Sequence, residues 1–520
     1  MKLRNRSTQP RRQGPVFDLA MAVSVSGATV VTVCATNPET MLHWFVIPVF
    51  LSGVLIGVDF FAWLRNRMDL FDPVGLVGAY GYYFFFIAPL LTVMWRYHTP
   101  ELVEPPGWRD WIGLMAILNC AGLIVYLTVR RFLQNRSHPP KTVWIIGPNR
   151  LVHLMAVVLP LTAAVQVWIF VRFGGLWGYM QTFSDDFHAF DGMGWIFLVA
   201  ETFPVLLAVL VLVYKRKVLK QAPWTAIALL ITAFFLTKMV FGGLRGSRSN
   251  TILAMFWLCG AIHFWVKPVP RHLVTTGIAF LVAFMYLYGF YKDQGVNAFD
   301  TLQSSDEMQA TSHRTKRTFD AALLGDLARS ELQAYVLYRV LSVGDYDYAA
   351  GGTYLNAPLA IIPKSIRPDW LPSKVEKGTE ALVGRGTYSQ AYQQASQVYG
   401  LAGEAMLNFS PWFAPLSFAG LAFIVVKTRR VLFSHPDDAR RLLLPFLAIA
   451  CILVLNSDLD NMVLFFLASV LPVLAVVKLS AKTLSTSSSG HISLQRNQGT
   501  DLPTIRRSFA PQTASISRQT

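Results

Sequence analysis

Glu404, in YGLAGEAMLNF (Tyr399 to Phe409), stands nearly alone among small and apolar residues. With no cation beside it, such a site raises a carboxylate's pKa towards the range a general base needs. Paired with an arginine, the same residue is a buried structural carboxylate, and the sequence leaves both readings open. A second stretch, FGGLRGSRSN (Phe241 to Asn250), sets Arg245 and Arg248 among three glycines. The glycines permit a tight or re-entrant turn, and two planar guanidinium forks suit a pyrophosphate at headgroup level. The alternative is that both arginines snorkel to lipid phosphates. A third runs through IIPKSIRPDWLPSK and GRGTYSQ, where Lys364, Arg367, Lys374 and Arg385 lie beside turn-forming proline and glycine. Trp370 and Tyr388 there offer faces on which sugars stack, so the stretch suits an anionic or sugar-bearing ligand, against the alternative of a solvated loop.

Other groups carry less. Asp185, Asp186, His188 and Asp191 in SDDFHAFD are oxygen and nitrogen donors of a kind that holds Mg or Mn, but read more simply as a solvated acidic loop, and no metal is expected. His313, in a basic segment, reads as a surface residue and a distant second candidate for a base. The chain shows no phosphate-binding, dinucleotide-binding, zinc-protease or nucleophile-elbow motif in a supporting context, and no cofactor is expected.

The elements that must position these residues follow from composition. Of 520 residues, 53% are hydrophobic and only 15% charged, too few charges for the surface of an ordinary soluble protein. Twelve apolar stretches are long enough, or nearly so, to cross a bilayer: Val16 to Thr36, Met41 to Leu64, Val74 to Trp95, Trp111 to Val129, Leu151 to Phe173, Trp195 to Tyr214, Pro223 to Phe241, Asn250 to Val266, Leu273 to Tyr291, Trp412 to Val426, Leu442 to Leu455 and Met462 to Leu479. The expected fold is therefore all-α, a polytopic membrane protein of about twelve spans. Lys and Arg favour alternate loops, which places both termini and the basic 1–15 arm in the cytoplasm. The net charge of +16 thus fixes orientation, and nucleic acid is not needed to explain it. Arg245 and Arg248 stand out because parity puts them on the side that should be poor in arginine. Residues 292–411 become one large extracytoplasmic loop, with an amphipathic helix expected over Ala321 to Val343, proline-broken chain over NAPLAIIPKSIRPDWLP, and a second helix from about Ser389 to Phe409. The Ser-, Thr- and Gln-rich tail, 480–520, reads as disordered and cytoplasmic. Cys34, Cys120, Cys259 and Cys451 fall in spans and read as small apolar residues.

Many spans, arginine at the outer end of a mid-chain span, one large late outer loop, a proline-basic stretch and a Gly-Glu motif together resemble the oligosaccharide repeat unit polymerases, the O-antigen polymerase (Wzy) family of bacterial surface polysaccharide assembly. The resemblance spans roughly Val16 to Leu479 and is carried by RGSRS, IIPKSIRPDWLP and GLAGEAMLNF. Where that family often shows a Lys-Pro pair after the proline-basic stretch, this chain has LPSK. The resemblance implies inverting, metal-independent glycosyl transfer outside the inner (cytoplasmic) membrane. A chain on polyprenyl pyrophosphate would move onto a new lipid-linked repeat unit, making an exopolysaccharide, capsule or O-antigen. It also implies a polyprenyl-pyrophosphate-linked oligosaccharide and membrane lipid as ligands, and a chain-length regulator and a flippase as partners. In that reading Arg245 and Arg248, with Arg367 or Arg385, steady the leaving pyrophosphate, and Glu404 takes the acceptor proton. Two alternatives stand beside it: a polysaccharide ligase using the same donor type, and a twelve-span transporter of polysaccharide precursors.

Overall fold

The computed structural model describes residues 14–99, 102–136, 140–185, 187–190, 192–245, 248–295, 298, 318–359, 362, 368, 370–388, 397–486 and 492–493, with the side chains of 183–188, 245, 248, 278, 282, 285, 292–294, 486 and 492–493 left aside. Ten helices are long and apolar enough to cross a membrane: α1 (Pro15–Thr36), α2 (Val46–Leu64), α3 (Pro73–Met94), α4 (Trp108–Asn135), α5 (Pro148–Arg172), α6 (Gly194–Tyr214), α8 (Ser249–Val266), α9 (Arg271–Tyr291), α14 (Pro411–Leu432) and α16 (Leu459–Ser480). Two shorter apolar helices, α7 (Trp224–Val240) and α15 (Leu444–Asn456), complete the series. These match the twelve stretches legible in the sequence, and the chain is a helical, multi-pass protein. Four shorter helices, α10 (Ser330–Tyr338), α11 (Gly352–Leu359), α12 (Lys374–Val383) and α13 (Gly400–Asn408), belong to the long segment between α9 and α14.

Two apolar cores organise the bundle. One joins α2, α3, α4 and α14 with α10 and α13. The other joins α5 to α8 with α16. Helix α15 serves both, giving Cys451, Val454 and Leu455 to the first and Phe446 and Ile449 to the second. A helix buried on all sides by protein has no lipid thickness to match, which accounts for the brevity of α15.

Helices in such a bundle approach closely through small residues. Gly78 of α3 lies on the backbone of α2, where an added Cβ would sit 2.8 Å from the Phe60 nitrogen. Gly78→Leu should therefore part α2 from α3 and cost about 1–3 kcal/mol. A lowered thermal unfolding midpoint in detergent checks this, with Gly420→Leu, which meets nothing within 4 Å, as the unaffected control.

Polar contacts tie helix ends and loops together. Arg65 and Arg67 pair with Asp18, Arg429 with Asp72 and Arg216 with Asp437. Trp44 bonds Asp110, Arg109 bonds the Glu39 and Thr40 carbonyls, and Glu331 accepts from the Thr99 N–H. Within each set, charge parity assigns the partners to a single side.

Three expectations change. The helix expected over Ala321 to Val343 is broken: a wide π-type turn, Ala321–Asp326, stops, and α10 begins at Ser330 after Arg329 takes φ −139°. Tyr80 and Tyr83 of α3 donate to the Leu327 and Leu323 carbonyls, so side chains of a span satisfy the backbone freed at this break. Asn356 to Leu359, expected as proline-broken chain, end helix α11, with Pro358 inside its last turn. The tail is not disordered from its start: β2 (Ala481–Thr486) pairs antiparallel with β1 (Thr142–Ile146), and β3 (Ile492–Ser493) adds to β2.

Candidate functional site

Glu404 sits on α13, and what places it is a turn. Gly400 opens the helix at φ +71°, and a Cβ there would meet the Leu455 carbonyl at 2.5 Å, so only glycine lets α13 start against the end of α15. Of the second loop helix expected from about Ser389 to Phe409, the described part is α13, which begins at Gly400 after non-helical 397–399; residues 389–396 lie outside the described residues. The side chain of Asp458, ahead of α16, accepts from the Tyr399 and Gly400 N–H groups at 2.9 and 2.8 Å, giving the first turn of α13 the acceptor it lacks.

The Glu404 side chain is 3% exposed. Its Oε1 accepts from the Thr353 hydroxyl of α11 at 3.0 Å, and its Oε2 from the Leu459 N–H at the start of α16 at 2.7 Å. Asn408, one turn on, donates to Thr353 Oγ1 at 2.6 Å and to the Glu404 carbonyl at 2.8 Å. Among the described residues no cation touches the carboxylate. The nearby cation, Lys374 of α12, lies 3.1 Å from Asp458 and 3.5 Å from Asp460. Burial first, and then the Asp458 charge, push Glu404 up to about 8, while the Leu459 N–H and Thr353 hydroxyl pull the other way. Burial also raises Asp458, to about 6, against the pull of Lys374. Burial thus favours the protonated form of Glu404, whereas Asp458 has Lys374 to favour its charge. Of the two readings open for Glu404, the apolar carboxylate without a cationic partner fits this geometry.

The Gly-Arg turn lies between α7 and α8. The backbone of Gly243–Arg245 forms a single tight turn, and Arg248 opens the next helix; both arginine side chains lie outside the described residues. Tyr288 and Tyr291 at the end of α9 donate to the Gly243 and Leu244 carbonyls. Gly242, at φ +123°, lies against Glu201, whose Cδ would be 2.6 Å from an added Cβ. Glu201 occupies a break in α6 between Ala200 and Phe203, receives a bond from Asn250, and offers its carbonyl to the buried Lys238 of α7 at 3.0 Å. Beneath this turn an apolar groove opens, lined by Pro204, Leu207 and Val211 of α6, Leu230 and Phe234 of α7, and Leu258 of α8.

The remaining candidates divide. Arg385 is solvent-exposed and paired with Asp347 at 2.7 Å, and among the described residues no contact joins it to the Glu404 cluster. Lys364, Arg367 and His313, with Asp186 and Asp191, lie outside the described residues, as do the Asp185 and His188 side chains. Sequence reasoning missed Asp458, Thr353 and Asn408 as neighbours of Glu404, and read Lys374 as a cation for an anionic or sugar-bearing ligand or for solvent, whereas it is buried and paired with Asp458 and Asp460. It also missed Glu201 and Lys238, although ionisable residues inside otherwise apolar spans are themselves a signal.

Fold and sites together define a helical, multi-pass protein of the membrane, with one buried carboxylate cluster in its long segment and one Gly-Arg turn braced by α6 and α9. No protein-family model, curated protein or solved structure matches the chain.

Proposed function

We propose that this chain polymerises polyprenyl-pyrophosphate-linked oligosaccharide repeat units at the outer face of the bacterial inner membrane, with both termini cytoplasmic and twelve spans. The observation that carries the reading is Glu404: a buried carboxylate without a cationic partner among the described residues, raised to about 8, in the long segment that parity places outside. A general base works best with a pKa near the operating pH, and burial moves Glu404 in that direction.

In the proposed step the acceptor hydroxyl takes the place of the Thr353 hydroxyl at Glu404. Its oxygen forms the new bond to the anomeric carbon, its proton passes to the carboxylate, and the bond from that carbon to pyrophosphate breaks. The leaving polyprenyl pyrophosphate keeps the electron pair and is steadied by Arg245 and Arg248. The apolar groove of α6, α7 and α8 suits its isoprenoid tail. Glu404 must be ionised to accept a proton, so extension by purified protein in lipid vesicles should fall as pH drops below about 8. A rate flat from pH 6 to 9 removes Glu404 from the base role. Lipid-linked products from cells lacking the protein separate polymerase from ligase: single repeats support the first, full-length unattached chains the second.

One observation favours a second reading. The broken α6, with Glu201 in the gap and Lys238 buried beside it, is an arrangement transporters use. Vesicles in which the protein moves lipid-linked sugar across the bilayer and never lengthens it would establish transport.

A further inference from the structure

Glu404 is held by the Thr353 hydroxyl of α11 and the Leu459 N–H at the start of α16, and the residue before Leu459 does two things. Asp458 receives the Tyr399 and Gly400 N–H groups that begin the Glu404 helix, and it faces Lys374 across 3.1 Å. The next residue, Leu459, gives Glu404 its N–H. The SDLDN turn thus fixes where α13 starts, binds the carboxylate and keeps a negative charge beside it.

We propose that Asp458 is a positioning residue that, balanced by Lys374, sets both the place of Glu404 and the pH at which Glu404 gives up its proton. The proposal rests on the preceding reading of Glu404 as a base, and adds that the lever lies outside α13, in the turn ahead of α16. Among the described residues, the charged and titratable groups around the carboxylate are few. Asp460 adds a weaker negative charge and shares Lys374. Tyr354 of α11 faces Glu404 as a neutral phenol, its pKa raised by burial. Arg329, at the break before α10, reaches Asp458 through its charge. Thr353 and Asn408 contribute hydrogen bonds without charge. Removing the Asp458 charge should release the Glu404 proton at lower pH, and removing Lys374 should hold it to higher pH. Opposite shifts from two partners of a single ion pair are not what loss of a merely structural contact produces.

The test uses the full-length protein in lipid nanodiscs. Infrared difference spectra over pH 5 to 10 follow the protonated carboxyl stretch of Glu404, assigned by its loss in Glu404→Gln. Asp458→Asn keeps the acceptor for the α13 N–H groups while removing the charge, and should lower the midpoint by about one pH unit or more. Lys374→Met should raise it. If Asp458→Asn fails to fold, Lys374→Met still decides, with Lys374→Arg expected to restore the wild-type midpoint. Midpoints that stay in place, or that move in the same direction in both variants, overturn the proposal. The acid limb of chain extension should shift with the infrared midpoint. Wild-type protein that never extends a lipid-linked donor at any pH rejects the polymerase reading alone, because the titration does not depend on turnover.

Discussion

Glu404→Gln is expected to reduce chain extension by about 100-fold or more while the protein still folds, because general base catalysis contributes on that order. Glutamine reproduces the neutral, protonated side chain that the cluster already favours. Its carbonyl accepts from the Leu459 N–H, and its amide donates to Thr353 Oγ1, so both bonds survive the exchange. The pH dependence of stability provides a second readout. Glu404 has an ordinary value of 4.5 and is raised to about 8 in the folded protein, so between these limits the native state binds more protons than the unfolded one. Wild-type stability from this group is then fully present below about pH 4.5 and falls as pH rises towards 8. The glutamine variant lacks that loss. Its thermal midpoint should equal that of wild type near pH 5 and exceed it at pH 9. Full-length polymer from the variant in cells would sink the assignment.

Arg245→Ala is expected to cost about 100- to 1000-fold in extension, the scale of removing one donor from a site where transition-state charge gathers. Tyr288 and Tyr291 on the Gly243 and Leu244 carbonyls, and Glu201 against Gly242, brace the backbone of the turn. The variant should therefore insert and fold normally. Arg245→Lys should recover only part of the rate, since an ammonium restores charge without the planar fork. If the arginine only snorkels to lipid phosphate, lysine and alanine variants will both extend chains at the wild-type rate, with the lipid-linked products on a gel deciding.

The apolar helices were legible because lipid imposes a length and composition that a single sequence displays directly, while their direction rests on charge parity alone. Even α15 was found, although at thirteen residues it owes its place to protein on every side. The lone carboxylate at Glu404 was legible for a related reason, since its neighbours in sequence are also its neighbours on α13. Asp458 was not. Its role arises only when the start of α16 folds onto the start of α13, and nothing local to SDLDN marks it. Lys374 looked like a loop cation because its partners lie far along the chain. The break at Arg329 was hidden by a helical spacing that continues across it, and it is stabilised by tyrosines of α3 that no local window contains.

The pairing of β1 with β2 has a consequence for how the molecule is made and handled. Strand β1 follows α4, whereas β2 leaves the ribosome after every membrane helix, so the edge of β1 waits through most of synthesis for its partner. The Gly147 N–H closes onto the Ser480 carbonyl where α16 ends, and Arg440 bonds the Thr142 carbonyl from a third loop. The clasp therefore fastens the last helix back to the middle of the bundle after insertion is otherwise finished. Truncation or fusion at Ser480 leaves that fastening undone, while a tag after Thr520 leaves it whole.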